Sequence, residues 1–295
     1  MLSMTDPRRV LPGQIQLITR RCSERRHFLR PDPEVVQIFR YVLAHACARY
    51  GIKLHAFVVM SNHYHLLVTD PFGRMPAFQQ YLNSLIARAV NDVWNRSEAF
   101  WKTGSYNAVE LLEDEIISAK MAYVLLNPVR AGLVAHAADW EGVTSARLDF
   151  GQKQVIQRPG FFSKKMPAKV TLELTAPPCA KPRELQAGVA LRVEEAERDA
   201  RQSLGEPLGM KEVLARCWSS SPSSKEQREQ SRPQFAGHCL TRRKRAKLEY
   251  RQWVGAYREA LGRFSDGDRD ASFPVGTYRM CVQLHCPIAS QIVSD

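Results

Sequence analysis

The sequence predicts an α+β fold: a ferredoxin-like antiparallel sheet with helices packed on it, followed by a mostly helical and irregular C-terminal extension. Three observations carry this expectation. Short alternating or apolar runs interleave with long stretches of helical periodicity up to about Phe150. Two neighbouring apolar runs, LHAFVV (Leu54–Val59) and YHLLVT (Tyr64–Thr69), flank the turn pair Ser61-Asn62, so at least one hairpin makes the sheet antiparallel. Beyond Phe150 the texture changes to proline-rich, then charged and helical.

QIQLIT (Gln14–Thr19) alternates polar and apolar residues, the pattern of a half-buried strand. The basic turn RRCSERRHF follows. Asp32 before Pro33 and Glu34 has the form of a helix start, and Val35, Val36, Phe39, Val42, Leu43 and Ala46 recur at helical spacing until Gly51. The hairpin comes next, then a second helical pattern over 75–95 through Phe78, Leu82, Leu85, Ile86, Ala89, Val90 and Val93. A strand is expected over Tyr106–Leu111 and a third helix over Leu112–Leu126, halted before Pro128. These elements define a domain over 8–150. The five prolines between Gln152 and Arg183 mark 151–184 as a linker. The extension, 185–295, holds a charged helix (Leu185–Ser203), a flexible serine-rich run (Ser219–Ser224) and a basic helix within 241–262.

The chain has 295 residues, 44% of them hydrophobic, enough for a sizeable core. With 42 Lys and Arg against 30 Asp and Glu, the net charge is +12, which favours a polyanionic partner such as nucleic acid. Seven cysteines, an odd number with no CxxC pair, argue against a disulfide framework and fit a reducing cytosol. No apolar run has the length of a membrane span, and the N-terminus lacks a signal-peptide core. The expected location is the cytoplasm, without membrane contact.

The segment MSNHYHLLV (Met60–Val68) places His63 and His65 two apart on a strand. Strand side chains alternate, so both imidazoles share one face about 7 Å apart, and Tyr64 faces the other with Leu66 and Val68. Two neutral imidazoles can hold one divalent cation; two ordinary histidines side by side are the plain alternative. In AYVLLNPVRAGLV (Ala122–Val134), Tyr123 and Asn127 are four apart and share a helix face. A phenol and an amide oxygen there are also what a core tyrosine and a helix C-cap would supply.

Taken together, MSNHYHLL and YVLLNPVRAGLV resemble the single-tyrosine HUH transposases, most closely their REP-associated branch. The HUH triplet is His63-Tyr64-His65. The tyrosine-x-x-x-asparagine motif is Tyr123 to Asn127, continued by Pro128, Val129, Arg130, Ala131 and Gly132. LPGQIQLITRR resembles the family's first strand, and Phe100-Trp101 intervenes at the expected place. The resemblance covers roughly 8–150. It implies an HUH endonuclease core that cleaves and rejoins single-stranded DNA. His63, His65 and Asn127 would hold Mg²⁺ or Mn²⁺. Tyr123 would form a 5′-phosphotyrosine intermediate, and the substrate would carry hairpin-forming repeats. Related enzymes act as monomers or homodimers. The sequence departs from the family pattern at Arg20-Arg21-Cys22-Ser23, where glycine is common, at the bulky Tyr64 and at the apolar Leu125.

Arg20, Arg21, Arg25 and Arg26 after the first strand, Arg130 beyond the tyrosine helix, and Arg242, Arg243, Lys244 and Arg245 in the basic helix are candidate phosphate contacts. Tyr250, Trp253 and Tyr257 share a face and are read as packing rather than base stacking. His238-Cys239 and Cys281, His285, Cys286 match no standard zinc spacing. Two other functions compete with strand transfer: a non-catalytic DNA-binding protein on the same fold, and a metal-dependent nuclease that uses water in place of Tyr123.

Overall fold

A computed structural model describes residues 7–178, 181–222 and 234–289. Cys179 and the end of the serine-rich run, Ser223-Ser224, lie outside the described residues. The elements in order are β1 (Gln14–Arg21), α1 (Pro33–Tyr50), β2 (Lys53–Met60), β3 (His63–Asp70), α2 (Met75–Val93), β4 (Asn107–Leu111), α3 (Ile117–Leu125) and α4 (Asn127–Arg130). They continue with β5 (Lys153–Gln157), β6 (Lys169–Glu173), α5 (Pro182–Leu204), α6 (Met210–Ala215), β7 (Phe235–Ala236) and α7 (Leu240–Ser265).

The main sheet has the order β2-β3-β1-β4-β7. β1 pairs antiparallel with both β3 and β4, β2 with β3, and only the short β7 joins in parallel. The α+β class with its helical extension is thus what the chain adopts. Alternation sends Ile18, Tyr64, Leu66 and Val68 into a core under α1 and α2. Leu17, Val58, Met60 and Leu67 go into a second core under α3 and α5. Both faces are covered, which is why β2 and β3 are buried almost throughout. Gly51, at φ 72, ends α1 in the left-handed conformation that glycine adopts without steric cost.

Two expectations are corrected. The stretch 151–184 is not simply a linker: β5 and β6 pair antiparallel, and Ile156, Val170, Leu172 and Leu174 join the α1 core. Tyr41 of α1 donates to the Pro167 carbonyl at 2.7 Å, fixing the β5–β6 connection against the helix. Burial of those four aliphatic side chains, at about 1.5–3 kcal/mol each, outweighs a proline content that looks like a spacer. The third helix starts at Ile117 rather than Leu112, after a short 3₁₀ turn over Asp114–Ile116. The reason lies at Glu113, whose carboxylate accepts the backbone N–H groups of His238 (2.8 Å) and Cys239 (3.0 Å) at the start of α7. Burial works against ionisation of this carboxylate, but those two donors outweigh it and its pKa is lowered. A negative charge there also complements the N-terminal end of the α7 dipole. As expected, α3 ends at Leu125, before Pro128, and the short α4 follows from Asn127.

Besides the β4–β7 pairing and the Glu113 contact, the extension packs onto the domain through α5 and Trp218. α5 lies along α3 and contributes the buried Val189 to the second core. Trp218, after α6, stacks on Trp94 (centroids 5.4 Å) and lies 6.1 Å from Phe28. On α7 the rings of Tyr250, Trp253 and Tyr257 stack on one another, Trp253 donates to the Val275 carbonyl at 2.8 Å, and Tyr257 meets Phe273. The aromatic stripe is therefore packing. No helix among the described residues is long and apolar enough to cross a membrane.

Candidate active site

The site forms where β3 begins, on the sheet face that α3 covers. His63 and His65 leave β3 on the same side, with ring centroids 4.9 Å apart and planes at 88°. α3 lies across β2 and β3 and presents Tyr123, whose ring centroid is 5.5 Å from that of His65. Tyr64 takes the other face, fully buried, in edge contact with Phe39 and Trp101, and its hydroxyl donates to Gln79 Oε1 at 2.9 Å. Burial raises the pKa of Tyr64 far above the usual phenol range, so it is no nucleophile.

Asn127 completes the cluster because of a local defect in the helix. Pro128 has no N–H to give to the carbonyl four residues back, that of Val124. The Asn127 amide turns inward instead, donating to the carbonyl of Tyr123 at 2.8 Å and reaching that of Val124 at 3.4 Å. With its nitrogen committed to the helix, the amide presents its oxygen to the histidines. The Asn127 side chain lies close enough to His63 and His65 to act on both. The four residues singled out by the two motifs, His63, His65, Tyr123 and Asn127, are therefore brought together.

Each imidazole is held from behind. Asn62 Oδ1 lies 2.6 Å from His63 Nδ1, and Thr19 Oγ1 lies 2.8 Å from His65 Nδ1. An amide oxygen can only accept, so His63 carries its proton on Nδ1 and leaves the Nε2 lone pair toward the cluster. Thr19 offers the same arrangement to His65. Both histidines stay neutral. Burial, then the neighbouring His65, then Arg21 hold His63 well below its ordinary value. Burial, followed by Arg21, lowers His65 to about 4. The convergence of two nitrogen lone pairs and an amide oxygen, with no hydrogen to share among them, is a donor set that could hold a cation. Among the described residues no cluster of three or more His, Cys, Asp or Glu is present, and the Cys and His residues of the extension assemble none.

Two cations flank the tyrosine. Arg130 Cζ is 5.5 Å and Lys120 Nζ 5.8 Å from the Tyr123 ring centroid. The sequence reading included Arg130 and missed Lys120, although its place one helical turn before Tyr123 was the available signal. Thr19 and Asn62 were also missed. Thr19 meets His65 only through the β1–β3 register; Asn62 was visible only as a turn residue.

The other basic candidates separate by position. Arg21 is exposed and, with Arg25, lies close enough for its charge to act on His63. Arg20 leaves β1 on the opposite face, donating to the Gly104 carbonyl at 2.8 Å beside Trp101. Arg26 pairs with Glu24 at 2.6 Å. Arg242, Arg243, Lys244 and Arg245 start α7 beyond β7, three strands from β3. Arg242 acts on Glu113, Arg243 is half-buried and Arg245 pairs with Glu249 at 2.9 Å. The structure does not bring this basic group to the histidines.

Residues 14–124 match the model of the IS200-like transposase family, a span that contains His63, His65 and Tyr123. Among solved structures, a REP-associated tyrosine transposase bound to a REP hairpin is similar over 50% of this chain and 85% of its own, at 17% identity and a TM-score of 0.42. A candidate transposase from Deinococcus radiodurans R1 is similar over 42% of this chain and 97% of its own, at 21% identity and a TM-score of 0.30. No curated protein matches the chain.

Proposed function

We propose that this protein, whose residues 14–124 match the model of the IS200-like transposase family, cleaves and rejoins single-stranded DNA through Tyr123. The observation that carries this is the phenol of α3 set against two neutral, back-bonded imidazoles and the Asn127 amide. The donor set fits Mg²⁺ or Mn²⁺, held by His63 and His65 through Nε2 and by the Asn127 oxygen. When bound, such an ion polarises a scissile phosphate and stabilises the charge that builds on it.

The chain's own groups do the rest. Arg21 and Arg25 draw the strand toward the β3 end of the sheet, and Arg130 and Lys120 set positive charge around the Tyr123 ring. The phenol oxygen attacks phosphorus and its proton passes to solvent. The bond from phosphorus to the 3′ oxygen breaks, releasing a 3′ hydroxyl and leaving the 5′ phosphate on Tyr123. Attack by another 3′ hydroxyl reverses the step and joins strands without ATP. Tyr123 meets His65 of its own chain, which supports a reading in which one chain supplies both the tyrosine and the histidines. The REP-associated branch, and with it hairpin-forming repeats as the substrate, is part of this proposal.

The test is covalent trapping. Protein is mixed with labelled hairpin-bearing single-stranded DNA in Mn²⁺ or chelator and run on a denaturing gel. An adduct that requires the metal and disappears in Tyr123→Phe is the expected result. Binding without an adduct would favour a non-catalytic DNA-binding role. Cleavage that survives Tyr123→Phe would favour a water-using nuclease.

A further inference from the structure

We propose that Asn62 is a positioning residue that ties the basic turn at Glu24-Arg25 to the ring of His63, so that engagement of phosphate at the turn and cation affinity at the histidines are linked. This deepens the function proposed above and rests on it for the identity of the two ligands. The tie is a chain of hydrogen bonds. Asn62 Nδ2 donates to the Arg25 carbonyl at 3.0 Å, and Asn62 Oδ1 accepts from His63 Nδ1 at 2.6 Å. An amide has one donor end and one acceptor end, so commitment of the nitrogen to Arg25 dictates that the oxygen faces His63. The main chain anchors the same turn, with Cys22 N donating to the Asn62 carbonyl and Leu29 N to the Ser61 carbonyl, each at 2.8 Å.

The turn is held in an unusual backbone state. Glu24 and Arg25 have φ of 52 and 59, two consecutive non-glycine residues in the left-handed region. Such a conformation is unfavourable for a residue with a side chain and persists where surroundings over-determine it. Here the surroundings are identifiable. Arg26 N donates to the Ser23 carbonyl at 3.0 Å, the Arg26 guanidinium bonds the Glu24 carboxylate at 2.8 Å, and Ser221 of the extension donates to the Glu24 carbonyl at 2.7 Å. The left-handed pair aims the Arg25 carbonyl at Asn62. A phosphate gathered by Arg25 favours the same turn conformation, which holds Asn62, which holds the His63 tautomer that offers Nε2. By linkage the cation must then favour phosphate at the turn by the same factor.

Two variants separate the arms of the tie. Asn62→Leu keeps the shape and removes both bonds. Asn62→Asp keeps an acceptor for His63 and loses the donor to Arg25. The first readout is ¹⁵N NMR of the histidine tautomers in metal-free protein, which needs neither cation nor catalysis. His63 is expected as the Nδ1–H form in the native chain and in Asn62→Asp, and as a mixture in Asn62→Leu. The second is Mn²⁺ affinity by electron paramagnetic resonance, with and without an oligothymidylate, in a Tyr123→Phe background so that no adduct forms. Asn62→Leu is expected to weaken Mn²⁺ about 10- to 100-fold. Asn62→Asp is expected to bind Mn²⁺ within a few fold of the parent while losing much of the enhancement by DNA. An unchanged tautomer and Mn²⁺ affinity in Asn62→Leu, or full enhancement in Asn62→Asp, would overturn the inference. A native chain that shows the tautomer but no Mn²⁺ binding would overturn the linkage together with the proposed function, leaving only the orientation of His63. An adduct in the trapping assay with no effect of either Asn62 variant would reject the Asn62 role alone.

Discussion

Lowering the pH from 7 to 5 should destabilise this protein by several kcal/mol, and two buried histidines set the amount. His55 is fully buried at the bulge of β2, its Nδ1 bonded to the Thr175 carbonyl and its Nε2 to Thr69 Oγ1, both at 2.8 Å. His65 is 5% exposed. Burial lowers both from 6.5 to about 4. The sign follows from proton uptake. Between these values the unfolded chain binds protons that the folded chain refuses, so stability is full above pH 6.5 and falls as the pH drops toward 4. For one such histidine the contribution lost between pH 7 and pH 5 is about 2 kcal/mol, so the pair accounts for roughly 4 kcal/mol. His27, His45 and His63 are lowered as well and act in the same direction. The assay is urea unfolding followed by tryptophan fluorescence at the two pH values, with chelator present so that cation release adds nothing. His55→Gln removes one titrating group and should flatten the pH dependence by about half of the pair's share. A stability that changes by less than about 1 kcal/mol between the two pH values would refute the assignment of these histidines as buried and neutral. The same neutrality lets His65 keep its lone pair for a cation well below the pH at which an exposed histidine loses it.

Two further outcomes test the surroundings of the site. Glu197 on α5 accepts from Ala137 N at 2.7 Å and from His136 Nδ1 at 2.8 Å; Glu197→Ala strands the Ala137 N–H and should cost about 1–3 kcal/mol in urea unfolding, whereas Glu197→Gln keeps an acceptor and should cost less. Binding of single-stranded DNA should weaken as salt rises, and Arg130→Ala should reduce the log–log salt slope by about 0.7 if this exposed guanidinium beside Tyr123 neutralises one phosphate; an unchanged slope would remove Arg130 from the interface.

The parts legible in the sequence are those set by local periodicity. The two-residue repeat on β3 put His63 and His65 on one face and Tyr64 on the other, and the four-residue spacing on α3 put Tyr123 beside Asn127. The parts missed depend on partners far along the chain. The strands of β5 and β6 are five residues each, too short for alternation to stand out among prolines, and they acquire meaning only against α1. Glu113 looks like a helix residue until α7 arrives, more than a hundred residues later, to take its carboxylate. Arg20 and Arg21 look equivalent in a basic run, yet strand alternation inside a two-sided sheet sends one to Trp101 and the other toward the histidines.

The sequence by itself determined the α+β class, the basic balance and the candidate residues of the site, because helix and strand periods and residue types are local properties. The tertiary structure alone decided that the imidazoles, the phenol and the amide share one site, that Thr19 and Asn62 set the orientation of the rings, and that the basic start of α7 lies elsewhere. Those outcomes rest on strand register and helix docking. Both are chosen by burying two apolar faces at once, a constraint that no short window of residues contains.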